Sequence, residues 1–309
     1  RPGKVYRLCT EEAFWGDLPA DAVPEMQRSE LSGVVLQLKA LGVDNVMNFE
    51  WLAPPPAESM VRAMELLYAL GAVNDDAKLT APLGQHMAEL PLEPMLAKSL
   101  LVSAELGCSE EMATVAACLS VQSVWFTPRG MRRAIDEAKL RFGVAEGDHV
   151  TFLNVFKGFA ESGQSAKWCH KHFINHRAMV RVADIREQLR RHIRRLGLQL
   201  NSCGRDMDAV LRAVTAGFFT HAAQQVGTAA DGAVLFRAAR GAGRAQELRV
   251  HPSSVLHRVA PQWVVFNSVV RTNHHYMRDV AAIKPEWLTE LAPHFYKNVG
   301  GGGEGGENA

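Results

Sequence analysis

The chain has 309 residues, 47% of them hydrophobic, and 34 Lys and Arg stand against 33 Asp and Glu for a formal net charge of +1. That length and apolar content can bury sizeable cores, which predicts two or three globular domains and excludes a disordered chain. No apolar run approaches the roughly 18 to 20 residues that cross a bilayer and the first residues carry no signal-peptide pattern, so the sequence reads as soluble, not secreted and without a membrane partner.

In chain order, RPGKVYRLCTEEAF opens with a turn and an alternating segment, Lys4 to Leu8, that suits a strand. A strand needs a sheet to pair with, and nothing before it supplies one, so the segment reads as part of a longer protein. Ser29 and Ser32 then precede a helix, LSGVVLQLKALG, with Gly42 as its C-cap. The three prolines of APPPAE, Ala53 to Glu58, stiffen the backbone into an extended joint and mark a domain boundary. A helix, AESMVRAMELLYALGAV, a small strand around Lys78 to Thr80 and a second helix from Pro82 to Leu90 suggest a winged helix. Its acidic residues, among them Glu58, Glu65, Asp75, Asp76 and Glu89, favour a spacer or protein-docking role over the reading of a nucleic-acid groove.

Leu92 to Leu200 is helical by periodicity, with breaks at Gly107, at Thr127 and Pro128, and at Gly147. Asp148 can cap a helix whose Phe152, Val155, Phe156 and Phe159 form one apolar stripe. After a loop at Gly163 and a short segment with Trp168, a further helix turns Val182, Ile185, Leu189, Ile193 and Leu196 inward. Its outer faces carry Arg186, Arg190, Arg191, Arg194 and Arg195. Charge is therefore polarised: Arg1 to Met60 holds five Lys or Arg against nine Asp or Glu, whereas Arg177 to Arg205 holds eight Arg against two acids. Such a basic surface suits a polyanion, and equally a solvated helix face.

Asp206 to Phe219 reads as one more helix, followed by short strands at Thr220 to Val226, Ala233 to Arg237, Glu247 to Val250, Gln262 to Val270 and Met277 to Ile283. Five short strands suggest an oligonucleotide-binding barrel, so the predicted fold is mainly α with a C-terminal β-barrel. PEWLTELAPHFY is expected to pack back onto a neighbouring domain, and the tail GGGGEGGENA reads as flexible low-complexity sequence.

Five cysteines, Cys9, Cys108, Cys118, Cys169 and Cys203, form neither a CxxC pair nor a disulfide framework, which favours a reducing compartment, cytosol or nucleus. Cys169, His172 and His176 share one helical face and all three types bind zinc, but His170 points away from them and a histidine on a helix is usually an ordinary surface or core residue, so no metal site is expected. The sequence has no GxxxxGK[ST] loop to cradle a nucleotide phosphate and no GxSxG elbow around HPSSVL. In VVFNSVVRTNHHYMRDV, Arg271, Thr272, Asn273, His274 and Tyr276 gather a cation, hydrogen-bonding groups and a ring, a mix that suits single-stranded nucleic acid or a polar hairpin.

RPGKVYRLCTEEAF, VPEMQRSELSGVVLQLKALGVDNV, PPPAESMVRAMELLYALGAV, GDHVTFLNVF, KWCHKHFINHRAM, RVHPSSVLH and MRDVAAIKPEWLTELAPHFY, in this order, resemble the C-terminal half of the DEAH-box ATP-dependent RNA helicases, most of all the spliceosome-associated branch. The resemblance covers nearly the whole chain before the glycine tail. It implies the end of the second RecA-like domain at 1–52, a winged helix at 53–91, a helical bundle or ratchet at 92–205, an OB-fold with a C-terminal helix at 206–299 and a tail at 300–309. It implies RNA-stimulated ATP hydrolysis by the parent enzyme, with ATP and Mg bound there and no cofactor or catalytic residue in this chain. The implied partners are single-stranded RNA, a glycine-rich-motif activator protein and spliceosomal proteins, in the nucleus. Carried over residue by residue, Arg177, Arg186, Arg271, Thr272, His251 and Ser253 are expected at the RNA, and Asp148, His149 and Trp168 to be structural. The alternative is a protein-docking platform with little RNA affinity, built on the acidic and apolar residues before about Leu90.

Overall fold

The structure, a computed structural model, describes residues 2–19, 21–240, 246–259 and 261–296, so the glycine tail lies outside the described residues. Lys4 to Leu8 forms no strand, contrary to the alternating pattern. Val5, Tyr6 and Leu8 are exposed at 90%, 81% and 104%, because no strand among the described residues lies beside them to pair with. Three short helices follow, α1 (Glu11–Gly16), α2 (Glu25–Arg28) and α3 (Ser32–Ala40). The Thr10 hydroxyl caps α1 by accepting from Ala13 N, and Gly42, with φ +87°, follows α3 as its sequence predicts.

After the proline joint, α4 (Ala57–Ala69) and α5 (Leu83–Glu89) enclose a single bridge between Val73 and Leu79. The bundle comprises α6 (Pro94–Glu105), α7 (Ser109–Leu119), α8 (Arg132–Leu140), α9 (Asp148–Glu161), α10 (Ala166–Lys171), α11 (His176–Arg195) and α12 (Met207–Phe218). Pro94 begins α6, where a missing N–H costs nothing. The side chains of Asn175 and Asp206 cap α11 and α12. α6 and α12 touch backbone to side: a Cβ on Gly217 would lie 2.1 Å from the Met95 carbonyl oxygen. One buried cluster runs from Val35 and Leu67 through Leu100 and Val214 to Leu288. A second joins Phe152, Val155 and Phe159 of the predicted stripe to Met179 and Val182 of α11.

Five strands follow, β1 (Ala222–Thr228), β2 (Val234–Ala238), β3 (Glu247–Val250), β4 (Trp263–Arg271) and β5 (His275–Ala282), and then α13 (Glu286–Leu291). β3 and β5 pair in parallel and the other neighbours antiparallel, in an order β1-β2-β3-β5-β4 that closes on itself. Phe236, Leu248, Val264, Met277 and Val280 fill its interior. The C-terminal segment packs back as expected: Tyr296 Oη donates to Phe219 O at 2.6 Å and His294 Nε2 to Ala69 O at 2.8 Å.

The joint between bundle and sheet departs from the sequence reading. Asp148 is the first residue of α9, not its cap, and Gly147 (φ +109°) stands before it. The Asp148 carboxylate instead accepts from Val255 N at 2.9 Å and Val280 N at 2.8 Å, both on the sheet side of the molecule. Gly147 bridges Ala281, and Ala282 N donates to Glu146 O. A Cβ at Gly147 would meet the Val280 carbonyl at 2.3 Å, so glycine is required by approach as well as by φ.

Candidate nucleic-acid interface

A cleft of about 1000 Å3 opens between the bundle and the sheet. Arg177 and Arg181 enter it from the first turns of α11, four residues apart and therefore on one face. Arg278 of β5 faces it from the sheet wall, and Lys139 from α8 crosses between the walls, its Nζ donating to Ser253 O at 3.2 Å. His251 and Ser253 form a small turn at the same edge, with Nδ1 to Oγ at 2.7 Å. Trp125 and Phe126, on the segment after α7, complete the rim.

Four cationic side chains thus converge on a concavity that also holds two carboxylates, Asp148 and Asp279. Burial, and then the neighbouring Asp148 carboxylate, push Asp279 up to about 6. Burial also raises Asp148, against the lowering effect of its hydrogen bonds from Ser254, Val255 and Val280. Asp279 sits at φ +52° within β5, and Nε of the adjacent Arg278 is buried with no hydrogen-bond partner among the described residues. The arrangement suits a chain of phosphates better than a single nucleotide. It offers cations from two walls and, among the described residues that line it, no glycine-rich loop, and Asp148 and Val280 close the start of α9.

Sequence models of three families match successive segments: a helicase-associated domain (HA2), winged-helix, at 63–92; a helicase-associated domain (HA2), ratchet-like, at 93–152; and an oligonucleotide/oligosaccharide-binding (OB)-fold at 210–296. The chain is 47% identical over 298 residues to the probable ATP-dependent RNA helicase DHX35 of Homo sapiens, covering 96% of this chain and 41% of that protein. The pre-mRNA-splicing factor ATP-dependent RNA helicase prp22 of Schizosaccharomyces pombe is 40% identical over 302 residues, 96% of this chain and 25% of its own length. Over most of its length this chain is homologous to DEAH-box RNA helicases and carries their HA2 winged-helix, HA2 ratchet and OB-fold domains. The DHX35 homolog of Caenorhabditis elegans, 42% identical over 307 residues, is spanned to 40%, so the chain is equivalent to a quarter to two fifths of these relatives.

Within this helicase region, the cleft runs between the ratchet-like segment and the OB-fold, and Arg177 and Arg181 lie in the stretch between the two matches. Of the residues expected at RNA, Arg177, His251 and Ser253 line it together. Arg186 does not. It faces another hollow, its guanidinium bonded to Glu110 Oε2 at 2.6 Å and Thr114 Oγ1 at 2.8 Å and lying 5.4 Å from the Phe156 ring centroid. Arg190 shares the same Glu110, and Arg195 reaches Glu89 of α5, so much of the basic helix is spent on internal pairing. Arg271 and Thr272 are exposed at the β4–β5 turn, outside the cleft, with Thr272 N donating to His274 O.

His149 is fully buried, its ring nitrogens lack hydrogen-bond partners among the described residues, and burial lowers it to about 4. Trp168 packs on Phe142 and His172, with ring centroids 5.8 and 4.7 Å away, and fills the space left by Gly158. Cys169, His172 and His176 are drawn into the same packing, whereas His170 is exposed: Cys169 is buried, and His176 contacts Gln164 O and the Phe159 ring. No metal-holding group occurs among the described residues. Sequence reasoning missed Lys139, Arg181, Arg278 and Asp279. Arg181 was readable from its four-residue spacing to Arg177, whereas the other three reach the cleft only through tertiary folding.

Proposed function

We propose that this chain is the RNA-guiding module of an ATP-dependent RNA helicase acting in pre-mRNA splicing in the nucleus. Single-stranded RNA runs through the cleft between ratchet and OB-fold while the RecA-like domains of the parent enzyme, with their own ATP and Mg, drive stepping. The domain limits proposed are 1–52, 53–91, 92–205 and 206–299, in the order RecA-like end, winged helix, ratchet and OB-fold. The observation that carries the proposal is the convergence of Arg177 and Arg181 from one wall and Arg278 from the other on a single cleft. The splicing role is supported by the 40% identity to the prp22 splicing factor.

Ultraviolet cross-linking of 4-thiouridine oligonucleotides to the chain, read by mass spectrometry, tests the path. Cross-links are expected within 122–127, 177–181, 251–253 and 267–279, and cross-links confined to residues before Leu90 would overturn it. A second reading, docking of an activating protein on that earlier region, draws on its exposed apolar side chains, among them Trp15 at 74%, Leu41 at 80% and Tyr68 at 54%.

The raised Asp279 adds a pH dependence. As pH falls through about 6 its carboxylate takes up a proton, a negative charge leaves the cleft, and affinity for an RNA oligonucleotide is expected to rise severalfold. Asp279→Asn is expected to bind tightly at pH 7 already and to respond less between pH 7 and 5, the difference isolating Asp279 from nearby histidines. Equal pH responses of the two proteins would refute the assignment.

A further inference from the structure

Phe126 lines the same cleft as the arginines, yet its side chain is left 48% exposed. This is not a loose loop residue. Phe126 N donates to Phe173 O at 2.8 Å, Asn175 N donates to Val124 O at 2.9 Å, and Trp125 bridges Ile174. The backbone at 124–126 is therefore laced to the three residues that lead directly into α11 and Arg177. The neighbouring Trp125 turns inward, 6.3 Å from the Phe142 centroid and with Lys139 Nζ 5.4 Å from its own. The fold thus packs one aromatic of the pair against Phe142 and Lys139 and holds the backbone of the other in place at the rim, where among the described residues no second ring and no cation packs on it.

A half-exposed phenyl ring gains little for stability, but a fixed ring beside phosphate-binding cations is what a single strand uses for base stacking. We infer that Phe126 is a stacking platform for one base of the bound strand, with the phosphates on either side of that base held by Arg177, Arg181 and Arg278. The inference rests on the proposed RNA path and adds to it a contact with a nucleobase. Because every base has a π face, the contact fixes the strand's position without selecting its sequence.

The test compares the 309-residue chain with Phe126→Ala, Phe126→Leu, Phe126→Trp and an Arg177→Ala, Arg181→Ala, Arg278→Ala variant, using fluorescent oligouridylate and an abasic oligonucleotide of equal length. Phe126→Ala and Phe126→Leu are expected to weaken oligouridylate binding roughly tenfold, to leave abasic binding within about twofold, and to keep the salt dependence of the parent. Phe126→Trp should retain or improve binding. Unchanged oligouridylate binding by Phe126→Ala, or an equal loss on both ligands, overturns the stacking contact. If the arginine variant loses binding while Phe126→Ala does not, only the stacking inference fails. If the arginine variant binds normally, or the unaltered chain binds neither ligand, the RNA path itself fails.

Discussion

Replacing Asp148 with alanine is expected to remove about 3 kcal/mol of stability and to loosen the OB-fold from the ratchet. The carboxylate collects two backbone amides, Val255 N and Val280 N, that lie 107 and 132 residues further along the chain. Alanine suits the first turn of α9, so the local helix is not the casualty. The loss comes from two amides left without their acceptor, each costing roughly 1–3 kcal/mol when buried. Burial already raises the Asp148 carboxyl, and alanine relieves that desolvation, which keeps the expected loss in the lower half of the roughly 2–6 kcal/mol that two such amides span. Asparagine should not rescue it, because its NH2 group would face one of the two N–H donors. Urea denaturation of the variant, with hydrogen exchange at the Val280 amide, checks this result. Stability within about 0.5 kcal/mol of the parent, with Val280 still protected, would contradict it.

Much of the fold was legible because its signals are local. The alternation of Glu247 to Val250 marks β3 to the residue, and the Phe152 to Phe159 stripe is the buried face of α9. The strand expected at Lys4 to Leu8 shows the limit, since alternation reports a capacity to pair and not the presence of a partner. Asp148 reads as a helix start, but its carboxylate accepts from β5 and from the segment between β3 and β4, and no helix-start rule reaches that far.

The site was half legible for the same reason. Arg177 and Arg186 look alike in a basic helix, yet nine residues at about 100° each set them about 180° apart. One faces the cleft and the other faces Glu110. Lys139 and Arg278 belong to segments that only the closed sheet and its contact with the bundle bring together.

On the proposed path, this cleft carries single-stranded RNA on three arginines from two walls. Each arginine that meets a phosphate releases counterion on binding, so the triple variant Arg177→Ala, Arg181→Ala, Arg278→Ala removes both affinity and salt sensitivity. Its affinity for oligouridylate is expected to fall roughly 100-fold near physiological salt, at about 1 kcal/mol for each charged contact. The slope of log affinity against log salt should shrink by about 2, three phosphate contacts at roughly 0.7 each on a single strand. Arg186→Ala is the internal control, since its guanidinium is committed to Glu110 and Thr114, and it should bind RNA within about twofold of the parent. The most direct measurement is therefore this salt series on the unaltered chain, the triple variant and Arg186→Ala together. A loss of affinity and slope confined to the triple variant is the predicted result. An unchanged slope in the triple variant, or a larger loss in Arg186→Ala, would contradict the account.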